Sequence, residues 1–179
     1  MAEAGERLPP GFSRETTIRR DRRGRWFHDG EPVLHPKVRK AFDRWIDRAD
    51  DGRYILRNDA NWAYVEVEGA PIFVLRVQED PAEGAPTGFV LHTSDGQAHA
   101  LAAATLRQDR DGNLYCQVRD GRLVAQFTVR ALVDLADRLH ESRDGVVLED
   151  LAGSRHPIPV QTDPLQAPPA GAALPGASP

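Results

Sequence analysis

Cysteine appears once in this chain, at Cys116, so no disulfide can form within it, a usage that fits a reducing compartment. Lysine appears only at Lys37 and Lys40, and the rest of the 23 basic residues are arginine. No apolar run approaches the roughly 20 residues that a bilayer-spanning helix needs. Mean hydropathy is -0.50, which excludes a helical membrane protein. The first residues, Met1 to Arg7, are mixed in charge and run into Pro9-Pro10 without an apolar stretch, so no secretory signal is read and a cytoplasmic location is expected. Excess positive charge is missing too. The net charge of -4 is far from the balance of a dedicated nucleic-acid binder. It is unevenly spread, with residues 1–60 at +3 and 61–179 at -7.

What is present is the composition of one domain: 179 residues, 40% hydrophobic and 28% charged. Residues 1–14 read as a disordered N-terminus, and 161–179, with five prolines and five alanines but one charge, as a disordered Pro/Ala-rich tail. Between them Asp-Gly occurs six times, at 29–30, 51–52, 95–96, 111–112, 120–121 and 144–145. Both residues tolerate positive φ, so these dipeptides mark hairpin turns. The segments between them alternate with period two. Ala63, Val65 and Val67 oppose Trp62, Tyr64, Glu66 and Glu68, while Ile72 to Val77 is a more continuous run suited to a central strand.

Two segments carry helical period. Pro36 stands where an N1 proline belongs, and Val38, Ala41, Phe42, Trp45, Ile46 and Ala49 follow on one face. A second helix is expected from Val129 to about His140, capped by Thr128 and burying Val129, Leu132, Val133, Ala136 and Leu139. The elements repeat. Asp21-Arg22-Arg23-Gly24-Arg25-Trp26-Phe27 aligns with Asp109-Arg110-Asp111-Gly112-Asn113-Leu114-Tyr115, and in each copy a strand, an Asp-Gly turn, a strand, a helix, another Asp-Gly and a strand follow. The fold expected is α+β, two similar β-β-α-β-type halves packed together, the N-terminal over 15–80 and the C-terminal over 81–160.

The residues Gly24 to Val33, Asp51-Gly52-Arg53-Tyr54-Ile55-Leu56 and Val65 to Pro71 resemble the bacterial domain of unknown function DUF1285, as does Tyr115-Cys116-Gln117-Val118-Arg119 leading into Leu123 to Phe127. The resemblance covers about residues 18 to 150. Two places depart from it: Asn58-Asp59-Ala60-Asn61-Trp62 replaces the family's Thr-Pro and Glu-Lys, and Gly153 to Ile158 lacks its Trp-Ser-Gly-Gly character. The resemblance implies a duplicated α+β fold, a C-terminal half superficially like a pleckstrin-homology barrel, a ligand site between the halves and a signalling role, with no established catalysis.

The residues carry no Walker A loop, dinucleotide-binding glycine fingerprint, His-Glu-x-x-His or Gly-x-Ser-x-Gly. Cys116 falls on the apolar face of its strand with Leu114 and Val118 and reads as a buried structural thiol. Asp109-x-Asp111-Gly112-Asn113 has its glycine misplaced for a calcium loop and reads as a β-turn. His28 with His35, and His92 with His99, are seven residues apart without accompanying cysteine, so no metal is expected, nor a cofactor. The run Arg19 to Arg25, five arginines in seven residues beside Trp26-Phe27, allows phosphate contacts, but Asp21 interrupts it and a solvated hairpin tip explains it better.

Trp62 and Tyr64, on the polar face of their strand, either cover the second half or line a cleft. Trp26 and His28 share a strand face, and Arg119 lies on the polar side beside its turn. These five, Trp26, His28, Trp62, Tyr64 and Arg119, are the candidate ligand-binding residues; no catalytic residue is assigned. The function expected is a non-catalytic ligand-binding or regulatory module with its site between the halves. Its partner would be a small anionic or nucleotide-type ligand or a protein. The alternatives are a nucleic-acid-associated protein using the arginine hairpin, and an unrecognised enzyme pairing His28 with a carboxylate of the other half.

Overall fold

The computed structural model describes residues 13–81 and 87–166; residues 1–12 and 167–179, within the stretches read as disordered, lie outside the described residues. The first half runs β1 (Glu15–Arg20), β2 (Trp26–His28), β3 (Glu31–Pro32), α1 (Pro36–Trp45), β4 (Ile46–Arg48), β5 (Tyr54–Arg57) and β6 (Trp62–Val67). Then come β7 (Ile72–Glu79), β8 (Phe89–Thr93), β9 (Ala98–Ala100), β10 (Arg107–Gln108), β11 (Leu114–Val118) and β12 (Leu123–Phe127). The chain continues with α2 (Val129–Leu135), a 3-10 turn, β13 (Leu139–Ser142), β14 (Gly145–Glu149) and β15 (Arg155–Ile158).

The architecture is α+β with two similar six-stranded sheets and a smaller third sheet. The sheets run β3-β2-β1-β6-β5-β4 and β10-β11-β12-β7-β8-β9, each two antiparallel meanders joined by one parallel pair, β1 with β6 and β12 with β7. β7, grouped by sequence with residues 15–80, thus pairs within the second sheet. The element order β-β-β-α-β-β-β recurs from β1 to β6 and from β10 to β15. Its parallel closure recurs in miniature, since Gln108 bridges Val160 in parallel just beyond β15. Gln161 donates its amide to the Gln108 carbonyl at 2.8 Å and Pro164 is buried, so residues 161–166 of the stretch read as a tail are attached to the fold.

The aligned hairpins have one geometry. The Asp21 carboxylate accepts the amides of Arg23 and Arg25 at 3.0 and 2.8 Å, and that of Asp109 accepts those of Asp111 and Asn113 at 3.0 and 2.9 Å. Gly24 and Gly112 close the two turns at φ +79° and +81°, the left-handed position of a three-residue hairpin loop. Asp109 also accepts from the Asn113 side chain and the Tyr115 hydroxyl, so its carboxylate is spent on its own turn.

One apolar core joins the sheets, with Trp26, Ile46, Leu56 and Val65 of the first against Ile72, Leu91, Cys116 and Phe127 of the second and Leu148 and Ile158 of the third. Full burial of such side chains is worth about 1.5–3 kcal/mol each. The second helix departs from expectation. α2 ends at Leu135, buries Ala131 and Leu135, and leaves Val129 and Val133 at 78% and 58% exposure. The Thr128 hydroxyl donates to Val74 of β7 at 2.9 Å while accepting the Ala131 amide, which fixes the helix's rotation on the sheet before its apolar residues can choose a face. In the first helix Ile46 likewise leaves the expected stripe and becomes the first, fully buried residue of β4.

Candidate functional site

Two turns of the second sheet meet the end of α1. Arg119, in the β11–β12 turn, donates from Nη2 and Nε to Asp95 Oδ2 at 2.6 and 3.1 Å, from Nη1 to the Ile46 carbonyl at 2.6 Å and from Nη2 to the Arg44 carbonyl at 3.2 Å. The last carbonyls of a helix lack partners within it, and here a cation from the facing sheet takes them. The Asp95 side chain, in the β8–β9 turn, is 0% exposed and also accepts from the Thr93 hydroxyl at 2.5 Å and the Gln97 amide at 3.2 Å. Burial pushes its carboxyl up, but the Thr93 hydroxyl, the Arg119 guanidinium and the Gln97 amide together hold it below the ordinary carboxylate range.

A second ion pair lies beside the first. Arg20, at the end of β1 and 2% exposed, reaches Asp43 of α1 at 3.0 Å and donates to the Pro71 carbonyl. Its guanidinium stands 5.0 and 5.1 Å from the ring centres of Trp26 and Phe73. Asp43 also accepts from Trp26 Nε1 at 2.8 Å, and Trp26 meets Phe42 edge-on at 5.4 Å. Burial outweighs attraction for both partners, lowering Arg20 and raising Asp43 from their ordinary values. Asp95 acts electrostatically on Arg20 and Asp43 as well as on His99 of β9. His99 is held below its ordinary value by burial, with Asp95 pulling it up and Arg119 pushing it down. Two buried nitrogens at this junction, Arg20 Nε and His99 Nε2, have no hydrogen-bond partner among the described residues.

Comparison with known proteins follows the same outline. A family described as "Protein of unknown function (DUF2946)" matches residues 15–169. The chain belongs to that family. No curated protein matches this DUF2946 chain. Among solved structures it is similar to a DUF1285 family protein from Silicibacter pomeroyi DSS-3, at TM-score 0.62 and 22% identity over 80% of each chain. It is also similar to one from Shewanella baltica OS155, at TM-score 0.55 and 18% identity over 70% of this chain and 94% of the other. The resemblance to DUF1285 read from the sequence is therefore a kinship of fold.

Of the five residues singled out from the DUF2946 sequence, Trp26 and Arg119 stand at this junction, Trp26 donating to Asp43 and Arg119 to Asp95. The other three lie elsewhere. His28 is on an exposed hairpin, where the nearest carboxylate is its neighbour Asp29 at 3.7 Å and not one from the other half. Trp62 and Tyr64 meet edge-on at 5.1 Å, under Arg14 at 3.9 Å and Arg53 at 3.5 Å. The Tyr64 hydroxyl donates to Asp51 at 2.9 Å, so these contacts all stay within the first half. The arginine hairpin is largely occupied as well: Arg19 pairs with Glu68, Arg20 with Asp43 and Arg25 with Asp21, leaving Arg22 and Arg23 exposed.

Sequence reasoning missed Arg20, Asp43, Asp95 and His99. The available signal was alternation: in β1, Ile18 and Arg20 fall on the core side, so an arginine stood at a core position. Asp43, next to Phe42 on a half-buried helix, lies outside the apolar stripe expected of that helix. Asp95 belongs to an Asp-Gly turn like the others, and its partner Arg119 is 24 residues away in sequence.

Proposed function

We propose that this DUF2946 protein is a non-catalytic ligand-binding or regulatory module of signalling type, acting in the cytoplasm, with its site at the junction of the two six-stranded sheets. Its ligand is a small anionic or nucleotide-type compound. The observation that carries this reading is the pair of shielded, unpartnered nitrogens, Arg20 Nε and His99 Nε2, in the field of Asp95. Buried polar atoms are nearly always satisfied, so such exceptions mark places where a further group belongs. Arg20 Nε is a donor on a permanent cation and calls for an acceptor oxygen, while His99 Nε2 can donate or accept according to its tautomer. Buried ion pairs add little stability over apolar packing, and their best-attested use is to fix a register or a switch. The pleckstrin-homology-like C-terminal half and the signalling role that the DUF1285 resemblance implies belong to the same proposal.

The nucleic-acid alternative is less well supported, because three of the hairpin's five arginines are paired with carboxylates of the protein itself, Arg20 buried and Arg19 and Arg25 at the surface. An acid-base step through His28 has no carboxylate of the other half to work with. No helix among the described residues is long and apolar enough to cross a membrane. A thermal-shift screen over nucleotides and other anionic metabolites tests the proposal. At least one compound should stabilise the protein, and less so after His99→Gln. If no compound stabilises it, the ligand is removed from the account; turnover of one would overturn the non-catalytic reading.

A further inference from the structure

Three arginines are deeply placed in this fold, and two have acidic partners, Arg20 with Asp43 and Arg119 with Asp95. Arg107, in β10 and 7% exposed, has none: no hydrogen bond or ion pair joins its guanidinium to any described residue. Its Nε and Nη2 are both shielded from solvent and unpartnered. These two nitrogens lie along one edge of the planar guanidinium, with N–H bonds nearly parallel, the fork that grips two oxygens of one carboxylate or phosphate. Arginine cannot shed its proton to escape burial, so the charge must be balanced by another group.

The neighbours do not balance it. Tyr115, opposite Arg107 in the strand register, gives its hydroxyl hydrogen to Asp109 and is pushed up to about 12 by burial and that bond. Cys116, fully buried, is also pushed up to about 12 by burial, so at neutral pH it is a thiol and carries no charge. Asp163 acts on Arg107 only at a distance, without an ion pair. A single water could accept from both donors but would leave the charge unpaired.

We propose that Arg107 anchors an oxyanion-binding site, separate from the junction, that holds a carboxylate or phosphate group on its Nε–Nη2 edge. The site rests on β10 and on the segment 159–166 that returns beside it, where the Gln108 amide donates to Pro159 and the Gln161 amide to Gln108. It requires nothing of Arg20 or His99, so the two proposals fail separately.

The test uses the full chain, with sodium phosphate and sodium acetate as separate probes and sodium chloride at matched ionic strength as the control. The Arg107 Nε–H resonance, assigned by its loss in Arg107→Lys, should move saturably with phosphate, acetate or both, and the arm that responds names the class of ligand group. Thermal stability should rise with the same probe in the wild-type protein and lose that response in Arg107→Met. Should Arg107→Met not fold, Arg107→Lys, which keeps the charge but not the fork, provides the comparison and should lose most of the response. A resonance unmoved by either probe, or moved equally by chloride, would overturn the proposal, leaving a buried charge with water alone. An identical thermal response in the variants would do the same.

Discussion

Arg119 donates to the Ile46 carbonyl at 2.6 Å, tying a turn of the second sheet to the end of the helix on the first. The same side chain holds the buried Asp95 carboxylate, so one residue joins the sheets and neutralises a charge. Arg119→Met should therefore cost about 3–5 kcal/mol, the penalty of leaving a buried charge without its partner. Arg119→Lys, which keeps charge but cannot reach all three acceptors, should fall between. Urea denaturation of the three proteins checks this; a loss under ~1 kcal/mol for Arg119→Met would mean the clamp is dispensable.

The aligned hairpins separate backbone strain from packing. Gly24 and Gly112 share a left-handed conformation, but a Cβ on Gly24 would meet the Phe73 ring at 2.7 Å, whereas one on Gly112 meets nothing within 4 Å. Gly112→Ala should show the conformational penalty alone, about 1–2 kcal/mol. Gly24→Ala should cost clearly more, because Phe73, which also flanks Arg20, must move. Equal losses in denaturant titrations of the two variants would contradict this packing.

The exposed face of α2 gives a third expectation. Val129→Ser and Val133→Ser should each alter stability by no more than about 0.5 kcal/mol, as surface changes do. Leu135→Ala, at a fully buried position, should cost about 2–5 kcal/mol. Thermal denaturation of the three variants would reveal a helix rotated otherwise if the valines proved costly.

Stability should also depend on pH in two separate ranges. Burial keeps His99 below its ordinary value, so the unfolded chain takes up that proton more readily than the folded protein. The associated stability is complete above about pH 6.5 and declines as pH falls below it. Asp95, Asp109 and Asp150 are all held below the ordinary carboxylate value, so their contribution survives to lower pH and is lost below about pH 4. Denaturation across pH 4 to 8 should show the upper slope in the wild-type protein and its absence in His99→Gln. An unchanged slope would assign it to another group.

The turns were the most legible part of this fold. Asp29-Gly30 forms the expected two-residue hairpin loop between His28 and Glu31, with φ of +50° and +82°. The alignment of Asp21 with Asp109 reaches down to matching hydrogen bonds. Yet Asp150 makes the same turn with Gly153, accepting the amides of Ala152 and Ser154, and the Asp-Gly dipeptide does not reveal it, because the turn's own pattern is Asp-x-x-Gly. The α2 stripe failed for a different reason, since a tertiary hydrogen bond at Thr128 and not periodicity sets the helix's rotation. The junction was legible only at Trp26 and Arg119. Asp43 and Asp95 are ordinary surface-type residues until two segments distant in sequence close over them, and no local pattern records that closure.

The central claim is that this junction receives a ligand. Amide chemical-shift mapping of the full chain, titrated with whichever nucleotide or anionic metabolite gives the largest thermal shift, tests it most directly. The account predicts that perturbations converge on residues 95–99, 119–121 and 43–47, with a stabilisation of about 2.7 kcal/mol when the compound is present at a hundred times its Kd. Perturbations confined to the outer face around Trp62 and Tyr64, with residues 95–99 and 119–121 unmoved, would contradict it.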